Sequence, residues 1–196
     1  RYLCNIGGVG QGPGEYTFVY DAQIDEANQC IYLMPWMTQN LLAYNMQGKY
    51  QHPIPLPTYV PKGVFTVDPG KQTVTVGMLP FSDIEGASVV WQQDFKGNVL
   101  HRVDAAPYSV IPDFSNEIAN TDNVPGVFDF TIQYWEAKDD TLFHYLPEEQ
   151  HFAPMLTLQQ PNDKHMHNYL ELPDHYLMDI ILQMQYQQTD HSTVGF

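Results

Sequence analysis

The sequence predicts an all-β chain, a β-propeller built of four-stranded antiparallel blades, and three observations predict it. Short apolar runs alternate with period two, the 3.6-residue period of helices is almost absent, and one order of elements recurs along the 196 residues. The 15 Pro and 13 Gly mark frequent chain reversals, and 43% hydrophobic residues are enough to build a core.

In the first copy, residues 22–25 lead through a polar turn into Cys30-Ile31-Tyr32-Leu33. Leu41-Leu42-Ala43-Tyr44 then enters the turn Asn45-Met46-Gln47-Gly48 and leaves through Lys49-Tyr50. The second copy repeats the order with Phe65-Thr66-Val67-Asp68, Thr73-Val74-Thr75-Val76, Val89-Val90-Trp91, the turn Asp94-Phe95-Lys96-Gly97, and Val99-Leu100. Gly48 and Gly97 are 49 residues apart, and Asp25 and Asp68 are 43 apart, so the period varies with loop length. A third copy is read at 127–132 and 141–145, and the run 176–182 as the first strand of a fourth. The units so defined are an outer strand and linking loop at 1–18, blades at 19–60, 61–106 and 127–170, and an incomplete one at 174–196. The Pro-rich and polar stretches 108–126 and 159–167 are expected to be connecting loops. A β-sandwich is the competing architecture, but it would show shorter and more even strand spacing without a repeated internal order.

Eight Lys plus Arg against 23 Asp plus Glu give a formal charge of −15, a surface that repels phosphate backbones and argues against nucleic-acid binding. Two cysteines, Cys4 and Cys30, define neither a disulfide framework nor a zinc motif. No apolar run approaches the ~20 residues that a membrane-spanning helix needs. The chain opens on Arg1 inside an apolar pattern, which predicts further structure upstream.

Aligning the candidate innermost strands places Asp21, Asp129 and Asp179 at equivalent positions, with Val64 in the remaining copy. On a propeller these carboxylates would ring the channel mouth, where they could accept backbone N–H bonds or attract a hard cation such as calcium. Trp91 is expected in the core, whereas Trp36 and Trp135 fall near turns and are the candidates for an exposed stacking platform. His165-Met166-His167, with Asp163 and His175 nearby, has some metal-ligand character but sits in an expected loop. His144 and His151 are read as packed or surface residues, because no Ser or Cys nucleophile stands in a triad setting. No catalytic residue is assigned.

The most specific string is Ile6-Gly7-Gly8-Val9-Gly10-Gln11-Gly12-Pro13-Gly14-Glu15-Tyr16. Its glycines permit positive φ and close backbone approach, and no Lys-Ser/Thr or helix follows to make it a phosphate loop. With Ile24-Asp25, Ile31-Tyr32-Leu33 and residues 44–50, it resembles an NHL-type repeat, and more narrowly the six-bladed β-propeller lipoproteins of Bacteroides-like bacteria. The resemblance implies that Gly12, Pro13, Gly14, Glu15 and Tyr16 link the outer strand of one blade to the inner strand of the next. It also implies six blades, of which about four are present here. Export to the periplasm or outer-membrane surface, a lipid anchor on the full-length protein, and a partner such as an outer-membrane nutrient-import complex follow from the same resemblance.

The function expected is therefore non-catalytic: a propeller that holds a protein partner or a carbohydrate-like ligand on its loop face and needs no cofactor. The alternative is a metal-dependent hydrolase similar to six-bladed lactonases, with a divalent cation on the axis held by the aligned aspartates.

Overall fold

The computed structural model describes residues 4–121, 126–134, 140–157, 166–172 and 174–181. A short parallel pair, β1 (Gly8–Val9) and β2 (Glu15–Tyr16), brackets the Gly-Pro-Gly loop. Then come three antiparallel sheets of four strands, each in sequence order. The first holds β3 (Val19–Asp25), β4 (Cys30–Pro35), β5 (Thr38–Asn45) and β6 (Tyr50–Val60), and the second β7 (Gly63–Asp68), β8 (Thr73–Met78), β9 (Ser88–Asp94) and β10 (Val99–Asp104). The third holds β11 (Glu117–Asn120), β12 (Phe128–Gln133), β13 (Thr141–Leu146) and β14 (His151–Thr157), and a hairpin of β15 (Met166–Leu172) and β16 (His175–Ile181) follows. Strand β7 packs against β3 on one side and β11 on the other, so the first strand of each sheet faces a common centre. This is the propeller arrangement.

The repeat has a local physical basis. Asp25 and Asp68 each end the first strand of their sheet and accept a hydrogen bond from a backbone N–H three residues on, Asn28 at 3.1 Å and Lys71 at 3.1 Å. Asn45 and Asp94 each end the third strand and accept from two turn N–H groups, Gln47 and Lys49 in one case, Lys96 and Asn98 in the other. Such Asx turns close the chain where the ladder must reverse.

Blades are buried on both faces, so side chains of either parity are apolar. From the first sheet, Tyr32, Met34, Leu41, Ala43 and Ile54 meet Phe65, Val67, Val74, Val76 and Trp91 of the second. The other side of the second sheet, through Val64, Leu79, Val89 and Val90, meets Phe128, Phe130, Ile132, Phe143 and Tyr145 of the third. Ile31, Leu33, Leu42 and Tyr44 on the outward face of the first sheet are covered by Ile6 and Tyr16. Tyr44 donates to Gly14 O at 2.8 Å, and Gly14 has φ +73 with Tyr50 so close that a Cβ would lie 2.5 Å from its ring. Only glycine fits there. Cys4 is exposed, Cys30 is buried in the first seam, and both are free thiols.

Two expectations about the later blades are corrected. Glu117–Asn120 lies inside the stretch read as a loop, yet it is the first strand of the third sheet. With four residues and only Ile118 and Asn116 buried nearby, it has too little alternation to signal a strand and owes its place to partners remote in sequence. Residues 127–132 therefore form a second strand, not an innermost one. Likewise Met166–Leu172 is a strand, so His175–Ile181, which takes in most of the run read as a first strand, is the second strand of the last hairpin.

Candidate functional site

Because the strands alternate in direction, the start of each first strand, the β4–β5 turn and the links between sheets all lie at one end. There they enclose a cleft of about 840 Å³ lined by Phe18, Tyr20, Trp36 and Phe114, with Asp21, Lys62, Glu117 and Asn120 among its polar groups. Phe18 and Phe114 are 59% and 42% exposed. Trp36 stands in a two-residue turn pinned at both positions: Trp36 N donates to Phe18 O at 3.0 Å and Met37 N to Pro61 O at 3.1 Å, with Met37 at φ +56. Its ring meets Phe114 edge to face, with centroids 5.6 Å apart. A second cleft of about 750 Å³ lies on the other side of Trp36, against Gly10 to Thr17.

The floor of the first cleft is a polar knot that ties three blades. Lys62, buried between β6 and β7, donates to Phe114 O at 2.7 Å, to Asn116 O at 2.9 Å and to the Glu117 carboxylate. The Tyr20 hydroxyl of β3 donates to Glu117 Oε2 at 2.6 Å and accepts from Ile118 N at 3.2 Å. Burial, and then the neighbouring Glu117 carboxylate, push the Tyr20 phenol far above its usual range, so it stays a neutral donor. A buried cation with three acceptors is satisfied, and the knot holds the aromatic walls at fixed spacing.

Asp21 lines this cleft, and its carboxylate also closes the inner edge of the neighbouring blade. Oδ2 accepts from Phe65 N at 2.9 Å and Oδ1 from Ala22 N at 2.8 Å. Two residues on, the Gln23 amide accepts from Val67 N at 2.7 Å and donates to Val67 O at 3.3 Å, taking the place of a missing strand. An exposed edge row of N–H and C=O groups is thereby paired.

Of the residues predicted from sequence, Asp21 and Trp36 thus come together in one cleft. Asp129 does not join them: it lies on β12, the second strand of its sheet, and is fully buried in the seam beneath β15. Asp179 is in β16, with its backbone opposite Asn168. The alignment of the three on inner strands is corrected accordingly, the causes being the unrecognised strands β11, ahead of Asp129, and β15, ahead of Asp179. Trp135, Asp163 and His165 lie outside the described residues. Trp91 is core, as expected, at 1% exposure. Gly12 to Tyr16 form a closed turn ahead of β3: Gly12 N donates to Glu15 Oε2 at 2.8 Å and Glu15 N to Gly12 O at 3.0 Å.

Sequence reasoning missed the seam between the third sheet and β15. His167, read as a loop residue, is buried in β15, and its N–H donates to Asp140 Oδ2 at 2.7 Å with Nδ1 3.0 Å from the same oxygen. Gln133 donates to His167 O at 3.0 Å, so Asp140 and Gln133 close the β15 edge as Asp21 and Gln23 close that of β7. Farther along the seam, Asp129, His144 and Glu171 converge: His144 Nε2 lies 3.3 Å from Asp129 Oδ1 and 2.7 Å from Glu171 Oε2. The one available signal was the β12–β13 register, which sets Asp129 opposite His144.

Residues 1–97 match the model of a family described as a 6-bladed β-propeller. Among solved structures, a "putative exported protein" of Bacteroides fragilis is similar at 10% identity over 84% of this chain and 70% of that one, with a TM-score of 0.41. No curated protein matches the chain. Among the described residues, no helix is long and apolar enough to cross a membrane.

Proposed function

We propose that this chain is part of a non-catalytic binding propeller of the bacterial cell envelope that holds a carbohydrate-like ligand in the cleft beside Trp36. The observation that carries the reading is the cleft itself. Four aromatic side chains offer stacking faces and edges, with Phe18 and Phe114 exposed, above a floor whose charges are already paired. Sugars combine apolar ring faces with hydroxyls, which suits aromatic walls interrupted by Asp21 and Asn120. The envelope address, the lipid anchor, the NHL-like kinship and a partnership with an outer-membrane nutrient-import complex are supported by the resemblance of the Gly12 to Tyr16 link. Co-purification from solubilised envelopes tests that partnership.

Titration calorimetry against a panel of neutral oligosaccharides tests the cleft. The expected result is binding that Trp36→Ala weakens by about 2 kcal/mol, about 30-fold, while the melting temperature changes little. A folded protein that binds no oligosaccharide, or one whose affinity ignores Trp36→Ala, would refute the reading.

A further inference from the structure

We infer that Asp129, His144 and Glu171 form a zinc-type divalent metal site that clasps the third sheet to the last hairpin. One ligand atom from each residue lies within 4.8 Å of the others, and the three come from β12, β13 and β15. The site is separate from the cleft. Asp129 stands on the face of β12 that meets β15, whereas Asn120, which lines the cleft opposite Phe130, donates to Phe65 O on the other side of the sheet.

Geometry favours a metal over an imidazolium ion pair. His144 Nε2 and Glu171 Oε2 are buried 2.7 Å apart, yet among the described residues neither atom has a hydrogen-bond partner. One ligand atom of each of the three residues lies close enough to the others to share a single ion. In a tetrahedral zinc site with bonds of about 2.0–2.1 Å, neighbouring donors are about 3.3 Å apart. The Asp129–His144 distance of 3.3 Å matches that edge, and the His144–Glu171 distance would open slightly. Two carboxylates balance a dication, while the imidazole disfavours calcium, which prefers six to eight oxygens.

The surroundings agree. Tyr176 donates to Glu171 Oε1 at 3.2 Å, which fixes that carboxylate and leaves Oε2 for the ion. The His144 and Glu171 side chains keep 11% and 19% exposure, whereas the Asp129 side chain has none.

The test is zinc binding by the full chain, measured by competition with a chromogenic chelator and by metal analysis after dialysis, with thermal melts alongside. Expected are one equivalent of zinc, a higher melting temperature on its addition, and affinity at least tenfold lower in both His144→Gln and Glu171→Gln. Tyr176→Phe, which touches only the supporting bond, should lose about tenfold. The proposal is overturned if folded wild-type protein takes up no zinc, or if both ligand variants bind it as the wild type does, as they would were His165, His167 or His175 the true ligands.

Discussion

The seams between the first three sheets and the seam between the third sheet and β15 solve one problem with different chemistry. In the first two, whole faces of Val, Phe, Met and Trp interdigitate, and their stabilisation is the removal of apolar area from water. In the last, Asp129, Thr131, Gln133 and His144 of the third sheet, with Asp140 just before β13, meet His167 and Glu171, and Leu142 and Tyr169 are buried hydrophobic side chains among the described residues there. An apolar seam tolerates small shifts, because dispersion and burial have no direction. A polar seam holds only where each donor finds its acceptor, and it loses heavily when one is removed.

The largest effect should come from the apolar side. Phe130 is fully buried between the second and third sheets, and Phe130→Ala should cost about 3–5 kcal/mol in urea unfolding. A loss below about 1 kcal/mol would mean that the sheets do not pack as described. On the polar side, Asp140→Ala removes the acceptor for Tyr134 N and His167 N at once. It should cost about 2–3 kcal/mol, with Asp140→Asn milder because one acceptor oxygen remains. Equal losses for the two variants would show that charge, and not hydrogen bonding, holds that edge.

Alkaline pH should weaken the apolar contacts by a smaller amount, because the phenols it titrates pack there. Burial pushes Tyr44 up to about 12, and burial with the neighbouring Asp140 does the same for Tyr134; Tyr20 and Tyr32 are raised further. Above about pH 10 the unfolded chain loses these protons while the folded chain keeps them, so stability present below pH 10 declines as pH rises through the folded values. Urea midpoints at pH 8 and pH 11 measure it; an unchanged midpoint would contradict the burial of these phenols.

How much of this could be read from the chain follows from where the determining contacts lie. The first two blades were legible because their turns are local: Asp25, Asn45, Asp68 and Asp94 bond to groups two to four residues away. Strand β11 was not, since its place depends on Tyr20 and Lys62, 55 to 98 residues earlier. Asp21 and Trp36 were found from repeat position and turn proximity, whereas Lys62 and Glu117 look like ordinary surface charges until folding brings them together. The seam was hidden by its own alternation. Phe128-Asp129-Phe130-Thr131 and Phe143-His144-Tyr145 read as sheets with one polar face, and nothing local says that this face meets another sheet and not water.

The central claim, that blade contacts change from apolar to polar at the third sheet, is tested most directly by native-state hydrogen exchange on chelator-treated protein. Amides of β8 and β12 should open only with global unfolding, and those of β15 and β16 at a distinctly lower free energy, as one cooperative unit. If β15 and β16 are protected as strongly as β8 and β12, the two kinds of seam are equally firm and the claim is wrong.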